Sequence, residues 1–196
     1  MIILVRHGRT ALNASHRLQG RVDAELDEVG VQQIRTVASD LSKRFEVARI
    51  VTSPLTRAQQ SAALLTETLR GELIVDERWI ELDYGVWDGV ELGAVPADVW
   101  HHWRTDPNFA PEGGESFAAL DRRVEQACEE LADDASSDHV VVVSHVSPMK
   151  SACAWALGAD RSVAHRSRLD QAAICRIDIG PRGPVLVTFN ETIATG

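Results

Sequence analysis

Two histidines and two arginines stand where short β-prone runs stop. Ile2-Ile3-Leu4-Val5 leads into Arg6-His7-Gly8, Val140 to Val143 leads through Ser144 into His145, and Arg57 lies just beyond Arg49 to Thr52. A neutral imidazole can attack phosphorus, a planar guanidinium can grip two phosphate oxygens, and a glycine beside them keeps the approach open. Two guanidiniums and a second imidazole can neutralise a phosphate dianion and the charge that spreads over its equatorial oxygens in the transition state, which is the main demand of phosphoryl transfer. With that charge supplied by side chains, no metal and no cofactor is expected. No aspartate or histidine cluster has ligand spacing, and His101-His102 has no carboxylates arranged around it.

For these residues to meet, the runs that carry them must be parallel neighbours in one sheet, because ligands bind beyond the carboxyl ends of such strands. The rest of the pattern fits. After the potential cap Asp27, Val29, Ile34, Val37, Ala38 and Leu41 recur at helical spacing. Pro54 and Thr56 open a helix with Ala58, Ala62, Leu65 and Leu69 on one face, followed by a short strand at Leu73 to Val75. Ser116 caps a helix with Phe117, Leu120, Val124, Cys128 and Leu131 inward, and Ser147-Pro148 starts another. Ala173 to Ile179 and Val185 to Phe189, joined through Gly180-Pro181-Arg182-Gly183-Pro184, read as an antiparallel hairpin at the edge. The expected fold is α/β: a three-layer sandwich with a mostly parallel sheet, an antiparallel edge, and helices on both faces. Residues 1–196 form one expected domain, with a lid or substrate-pocket region at about 76–115, where the pattern is irregular and four of the five tryptophans fall.

Four separated stretches carry a resemblance to the histidine phosphatase superfamily, also called phosphoglycerate mutase-like. They are LVRHGRTALN at Leu4 to Asn13, continuing to Leu18-Gln19-Gly20; VTSPLTRAQQSA at Val51 to Ala62; IELDYGVWDG at Ile80 to Gly89 with the turn Gly113-Gly114-Glu115-Ser116; and VVVVSHVSP at Val140 to Pro148. They lie in the family's order and span nearly the whole chain. The resemblance implies that His7 is the residue phosphorylated, that Arg6, Arg57 and His145 hold the phosphate, and that Glu81 is the general acid. Asp83 is the local rival to Glu81, and Asp88 reads as a turn residue beside Gly89. Thr10, Asn13, Gln19 and Gly20 match the family loop that touches the phosphate or the rest of the substrate. The likeness breaks after His145. Many members have glycine there, and this chain has Val146-Ser147-Pro148; a β-branched residue disfavours positive φ and cannot copy a glycine-only backbone, while Ser147 offers a hydroxyl instead.

The implied reaction is hydrolysis of small phosphomonoesters through a covalent phosphohistidine. The alternatives are a phosphoglycerate mutase-type phosphotransferase and a non-catalytic phosphate-binding module. A mutase must hold a doubly phosphorylated intermediate and exclude water under a longer basic lid; here the irregular region is short and Arg104 is its clearest cation. A binding module has no need for all five of Arg6, His7, Arg57, Glu81 and His145.

The chain of 196 residues, 44% hydrophobic, is long enough for one sizeable core. Its formal charge of -9 opposes nucleic acid and anionic membrane surfaces, so neither is an expected partner. The expected partner is a small phosphorylated metabolite, with a homodimer as the open alternative to a monomer. Cys128, Cys153 and Cys175 are widely spaced among apolar residues and read as core thiols. Without a membrane-length apolar run or a leader pattern, the expected location is the cytoplasm.

Overall fold

Ile2, Ile3, Leu4 and Val5 are fully buried because the strand they form is covered on both faces: Ile2 and Leu4 pack into one core, Ile3 and Val5 into the other. The structure is a computed structural model and describes residues 1–194. That first strand, β1 (Ile2–Arg6), leads through the single turn α1 (Ala11–Ala14) to α2 (Glu28–Arg44), β2 (Val47–Thr52), α3 (Thr56–Leu69) and β3 (Glu72–Val75). Three 3-10 turns at Glu77–Trp79, Gly85–Trp87 and Leu92–Ala94 precede α4 (Ala97–Thr105). Then come α5 (Phe117–Ser137), β4 (His139–Ser144), α6 (Val146–Leu157), α7 (Ser162–His165) and the hairpin β5 (Ile174–Gly180) and β6 (Gly183–Glu191).

The sheet order is β3-β2-β4-β1-β5-β6. The first four strands are mutually parallel, and β5 and β6 run antiparallel at the edge. One face packs against α2 and α3 through Ile34, Val37, Leu41, Ala58, Ala62 and Leu65; the other packs against α5 and α6 through Leu120, Val124, Cys128, Met149 and Cys153. The fold is therefore the expected three-layer α/β sandwich. Each such fully buried large aliphatic contributes about 1.5–3 kcal/mol. The three cysteines are buried free thiols.

Local chemistry sets the ends of the helices. Asp27 accepts from Gly30 N at 2.8 Å and starts α2, whose last turn carries Lys43 and Arg44 where the dipole favours cations. Ser116 accepts from Ala119 N at 3.2 Å and starts α5. Gly158, at φ 56°, ends α6.

Several expectations shift by a residue or a role. Val29 is 43% exposed; the inward stripe of α2 is Gly30, Ile34, Val37, Ala38 and Leu41, since Val29 lies too far round the helix from Ile34 and Leu41. Helix α6 begins at Val146 rather than at Ser147-Pro148, which makes His145 its N-cap residue. Val146 lies outside the set of positive-φ residues, so a β-branched side chain costs nothing there. The hairpin is tighter than its glycine- and proline-rich link suggested, with Gly180 paired to Gly183 and only Pro181-Arg182 between them. In the irregular segment, Trp79 and Trp103 belong to the core while Trp87 and Trp100 pack at its margin.

Candidate active site

Register brings the strand ends level. Arg6 stands opposite Ser144, and Thr52 opposite Val143. One residue further, His7 N donates to Ser144 O at 3.0 Å and Ser53 N donates to Val143 O at 3.1 Å. The three strands thus deliver His7, His145 and Ser53 side by side, with the imidazole centroids of His7 and His145 5.1 Å apart.

His7 is 3% exposed. Its Nδ1 is 2.7 Å from Gly8 O, and a carbonyl can only accept, so Nδ1 carries the proton. In the neutral ring the lone pair is then on Nε2. Burial, and after it the charges of Arg57 and Arg6, hold His7 well below the usual histidine range, which keeps the ring neutral near pH 7. His145 is fully buried and is lowered in the same way, by burial first and then by Arg57, His7 and Arg6. The N-terminal end of α6 also disfavours a cation at this position. His145 Nε2 lies 2.7 Å from Ser53 Oγ, and its Nδ1 has no hydrogen-bond partner among the described residues. A Ser53 hydroxyl that donates to Nε2 places the His145 proton on the unpartnered Nδ1; one that accepts from Nε2 places it there instead.

The two guanidiniums have carbonyl partners and no carboxylate at ion-pair distance among the described residues. Arg6 Nη1 donates to Leu169 O at 2.7 Å; Arg57, fully buried, donates from Nη2 to Gly20 O at 2.6 Å and from Nη1 to Val22 O at 3.0 Å. Burial lowers Arg6 to about 10, which still leaves it charged at pH 7, and burial also lowers Arg57. Nε of each lacks a hydrogen-bond partner among the described residues. Buried cations without counter-charge are costly and are stabilised by a ligand dianion.

Glu81, 3% exposed, completes the group. Its carboxylate accepts from Leu82 N at 2.7 Å and, with both oxygens, from Ser147 N at 3.3 Å. The segment carrying it is pinned from two sides. Ser144 Oγ donates to Trp79 O at 2.7 Å; Arg123, held by Glu115 at 2.8 and 2.9 Å, donates to Arg78 O at 2.6 Å and Glu81 O at 3.4 Å. Its rival Asp83 is engaged elsewhere, accepting from Gly85 N at 2.9 Å and pairing with Arg21 at 3.4 Å.

Arg6, His7, Asn13, Gln19, Glu81, Tyr84 and Val146 all line one cavity of about 310 Å³, the low end of ordinary ligand sites. Asn13 and Gln19 reach it and hold each other, Asn13 Nδ2 donating to Gln19 Oε1 at 2.9 Å. Thr10 and Gly20 support from behind. Thr10 is fully buried, caps α1 and donates to Gln19 Oε1 at 2.8 Å, while the Gly20 carbonyl grips Arg57. The Ser147 hydroxyl meets Tyr84 Oη at 3.3 Å. Gly8 also meets a packing demand: a Cβ there would lie 2.4 Å from Gly30 O, so it lets the turn after β1 run against the start of α2.

Asp88 is the residue whose part the turn reading missed. Its two oxygens accept from Gly20 N and Val22 N, each at 2.7 Å, and those same two residues offer the carbonyls that hold Arg57. No group of three or more His, Cys, Asp or Glu among the described residues is placed to hold a metal ion, and no described helix is long and apolar enough to cross a membrane.

The sheet order and the histidine pair at the carboxyl ends of its parallel strands define an α/β protein with a strand-end site, and comparison with known proteins gives the family. The model of the histidine phosphatase superfamily (branch 1) matches residues 2–192, and the chain belongs to that family. It is 34% identical over 200 residues to phosphoserine phosphatase 1 of Hydrogenobacter thermophilus, covering 100% of this chain and 94% of that protein. It is 29% identical over 182 residues to a probable phosphoglycerate mutase of Yersinia pestis, covering 90% and 84%. A bifunctional protein of Mycobacterium tuberculosis is 35% identical over 176 residues, covering 88% of this chain and 48% of that protein, so the chain spans about half its length. Among solved structures, a mycobacterial glucosyl-3-phosphoglycerate phosphatase superposes with a TM-score of 0.87 at 29% identity, covering 97% and 98% of the two chains.

Proposed function

We propose that the protein hydrolyses small phosphomonoesters through a phosphohistidine on His7 Nε2. The observation that carries this reading is the hydrogen bond from His7 Nδ1 to Gly8 O, which leaves the Nε2 lone pair beside two buried guanidiniums that lack a carboxylate partner among the described residues. The Nε2 lone pair attacks phosphorus as the bond to the ester oxygen breaks, and the departing oxygen takes its proton from Glu81. Water then attacks phosphorus, Glu81 takes the proton, the P–N bond breaks, and the lone pair returns to Nε2 as inorganic phosphate forms. Arg6, Arg57 and His145 Nδ1–H stabilise the oxyanions throughout. The phosphatases among the relatives support hydrolysis.

The test is incubation with a phosphomonoester quenched in alkaline denaturant, which preserves a P–N bond, followed by mapping of the phosphorylated residue, a check that the label is lost in acid, and parallel measurement of free phosphate. Acid-labile phosphate on His7, lost in His7→Ala, is expected together with rapid phosphate release. Phosphate transferred to an acceptor hydroxyl with little release would replace this reading with a mutase, and full turnover by His7→Ala would end it.

A further inference from the structure

A second cavity, of about 270 Å³, adjoins the first across Tyr84 and Val146, which line both. Its cationic wall is Arg104 from α4, Lys150 from α6 and Arg161 beside α7, with His165 of α7 next to them; no aspartate or glutamate lines it. Trp100 and Phe117 supply its apolar surface, and the Arg161 guanidinium lies 4.0 Å from the Phe117 ring centroid. Arg161 is balanced from outside the cavity by Asp121. The other two cations are not balanced: Lys150 Nζ is fixed by the carbonyls of Ala164 and Ser167 at 2.9 and 2.6 Å, and neither it nor Arg104 has an ion-pair partner among the described residues. In a chain of net charge -9 this is a local cationic pocket opening beside the phosphate site. The electrostatics agree with the geometry. His165 is held below its ordinary value by burial and then by Arg161, Lys150 and Arg104, so the three cations converge on one place. Lys150 is itself lowered by burial and then by Arg6, and raised by Glu81, which ties the second cavity to the first.

A substrate phosphate held against His7 directs its leaving group past Glu81, and Tyr84 and Val146 lie between that point and the cationic wall. We propose that the preferred substrates are phosphomonoesters whose leaving group carries a second anionic group, seated against Arg104, Lys150 and Arg161, on an apolar or ring-containing spacer that packs on Trp100 and Phe117. This rests on the hydrolytic reading above and adds the substrate class to it. A carboxylate and a second phosphate both meet the pocket's chemistry, and the test separates them.

The probes are 4-(2-carboxyethyl)phenyl phosphate, its methyl ester, and the corresponding phosphonate. The acid and ester share leaving-group chemistry and length and differ in the distal charge. Each is measured as kcat/KM with the wild-type enzyme and as Kd with the His7→Ala protein, so affinity is read without turnover. The expected preference of acid over ester is at least about 10-fold in both, falling with added salt as exposed charge interactions do. The phosphonate shows whether a dianion is favoured over a carboxylate. Arg104→Gln, an exposed substitution, is expected to bring the acid-to-ester ratio close to one; Lys150→Met is expected to do the same, with thermal unfolding checking the loop that Lys150 holds. An acid preference in Kd without phosphate release supports the second-anion site and removes the hydrolytic reading. Turnover of acid and ester at equal efficiency, or a preference that survives Arg104→Gln and Lys150→Met intact, overturns the second-anion site and leaves hydrolysis standing.

Discussion

Asp88→Asn tests whether the proposed clamp on phosphate depends on a carboxylate outside it. Asp88 receives two backbone N–H groups, from Gly20 and Val22 at 2.7 Å each, and the carbonyls of those residues hold Arg57 at 2.6 and 3.0 Å. Hydrogen bonds to a charged group are worth about 1.5–3 kcal/mol each. Asparagine keeps one acceptor and turns an amide N–H against the other donor, so one of the two bonds is lost. Asp88 is partly exposed, and water recovers some of that loss, which puts the cost at about 1–2 kcal/mol. If the loop relaxes, Arg57 loses its fixed direction, and an equal loss of transition-state stabilisation lowers kcat/KM by about 5- to 30-fold. The assay is p-nitrophenyl phosphate hydrolysis, with inhibition by vanadate and by inorganic phosphate measured alongside. Arg57 matters most when charge is greatest, so vanadate affinity should fall more than phosphate affinity. Because Asp88 acts through Arg57, the Asp88→Asn/Arg57→Ala double variant should be little worse than Arg57→Ala alone. A variant that loses stability but keeps kcat/KM and vanadate affinity within about 2-fold, or strict additivity in the double variant, refutes the reasoning.

Three further outcomes are expected. Glu81→Gln should slow alkyl phosphates strongly yet spare the phosphorylation step for p-nitrophenyl phosphate, whose leaving group needs little protonation; a burst followed by slow release is then expected, and equal slowing for every leaving group would move the acid role elsewhere. His7 and His145 are depressed in the folded protein and titrate near 6.5 when unfolded. Below that pH the unfolded chain binds more protons, so stability should be full above it and fall as pH drops towards the folded values, by up to about 1.4 kcal/mol per pH unit for each histidine. Urea unfolding at about pH 7 and about pH 5.5 measures this, and a flat profile there contradicts a neutral buried pair. Gly8→Ala places a Cβ 2.4 Å from Gly30 O and should destabilise the fold by about 1–3 kcal/mol, seen as a lower urea midpoint; unchanged stability would show that α2 can move away.

The alternation of strands and helices was legible because each signal is local: Ile2 to Val5 and Val140 to Val143 are apolar on both faces, and Asp27 and Ser116 cap helices a few residues away. The same logic marked His7, Arg57 and His145, since a strand end followed by a helix start is a position the sequence itself displays. It failed where a role depends on partners remote along the chain. Asp88 looks like any aspartate before a glycine, and only the fold puts it against Gly20 and Val22, so that it supports Arg57 through the backbone. Gly8 was read as room for substrate alone, and only the fold brings the carbonyl of Gly30 to where a Cβ would also meet it. The tryptophans show why the irregular segment was the hardest to read. Trp79 and Trp103 are only 0% and 3% exposed, and Trp100 lines the cationic cavity; composition alone cannot separate a core tryptophan from a pocket one. What separates them is the helical phase of α4, which sets Trp100 and Arg104 four residues apart on one face, and a phase counts only once the surface it meets is known. His7 and His145 directly follow strands and Arg57 lies in the first turn of α3, positions that can be read from sequence. Arg104, Lys150 and Arg161 are far apart along the chain, and the cavity they share emerges only when α4, α6 and the start of α7 are brought around the same space.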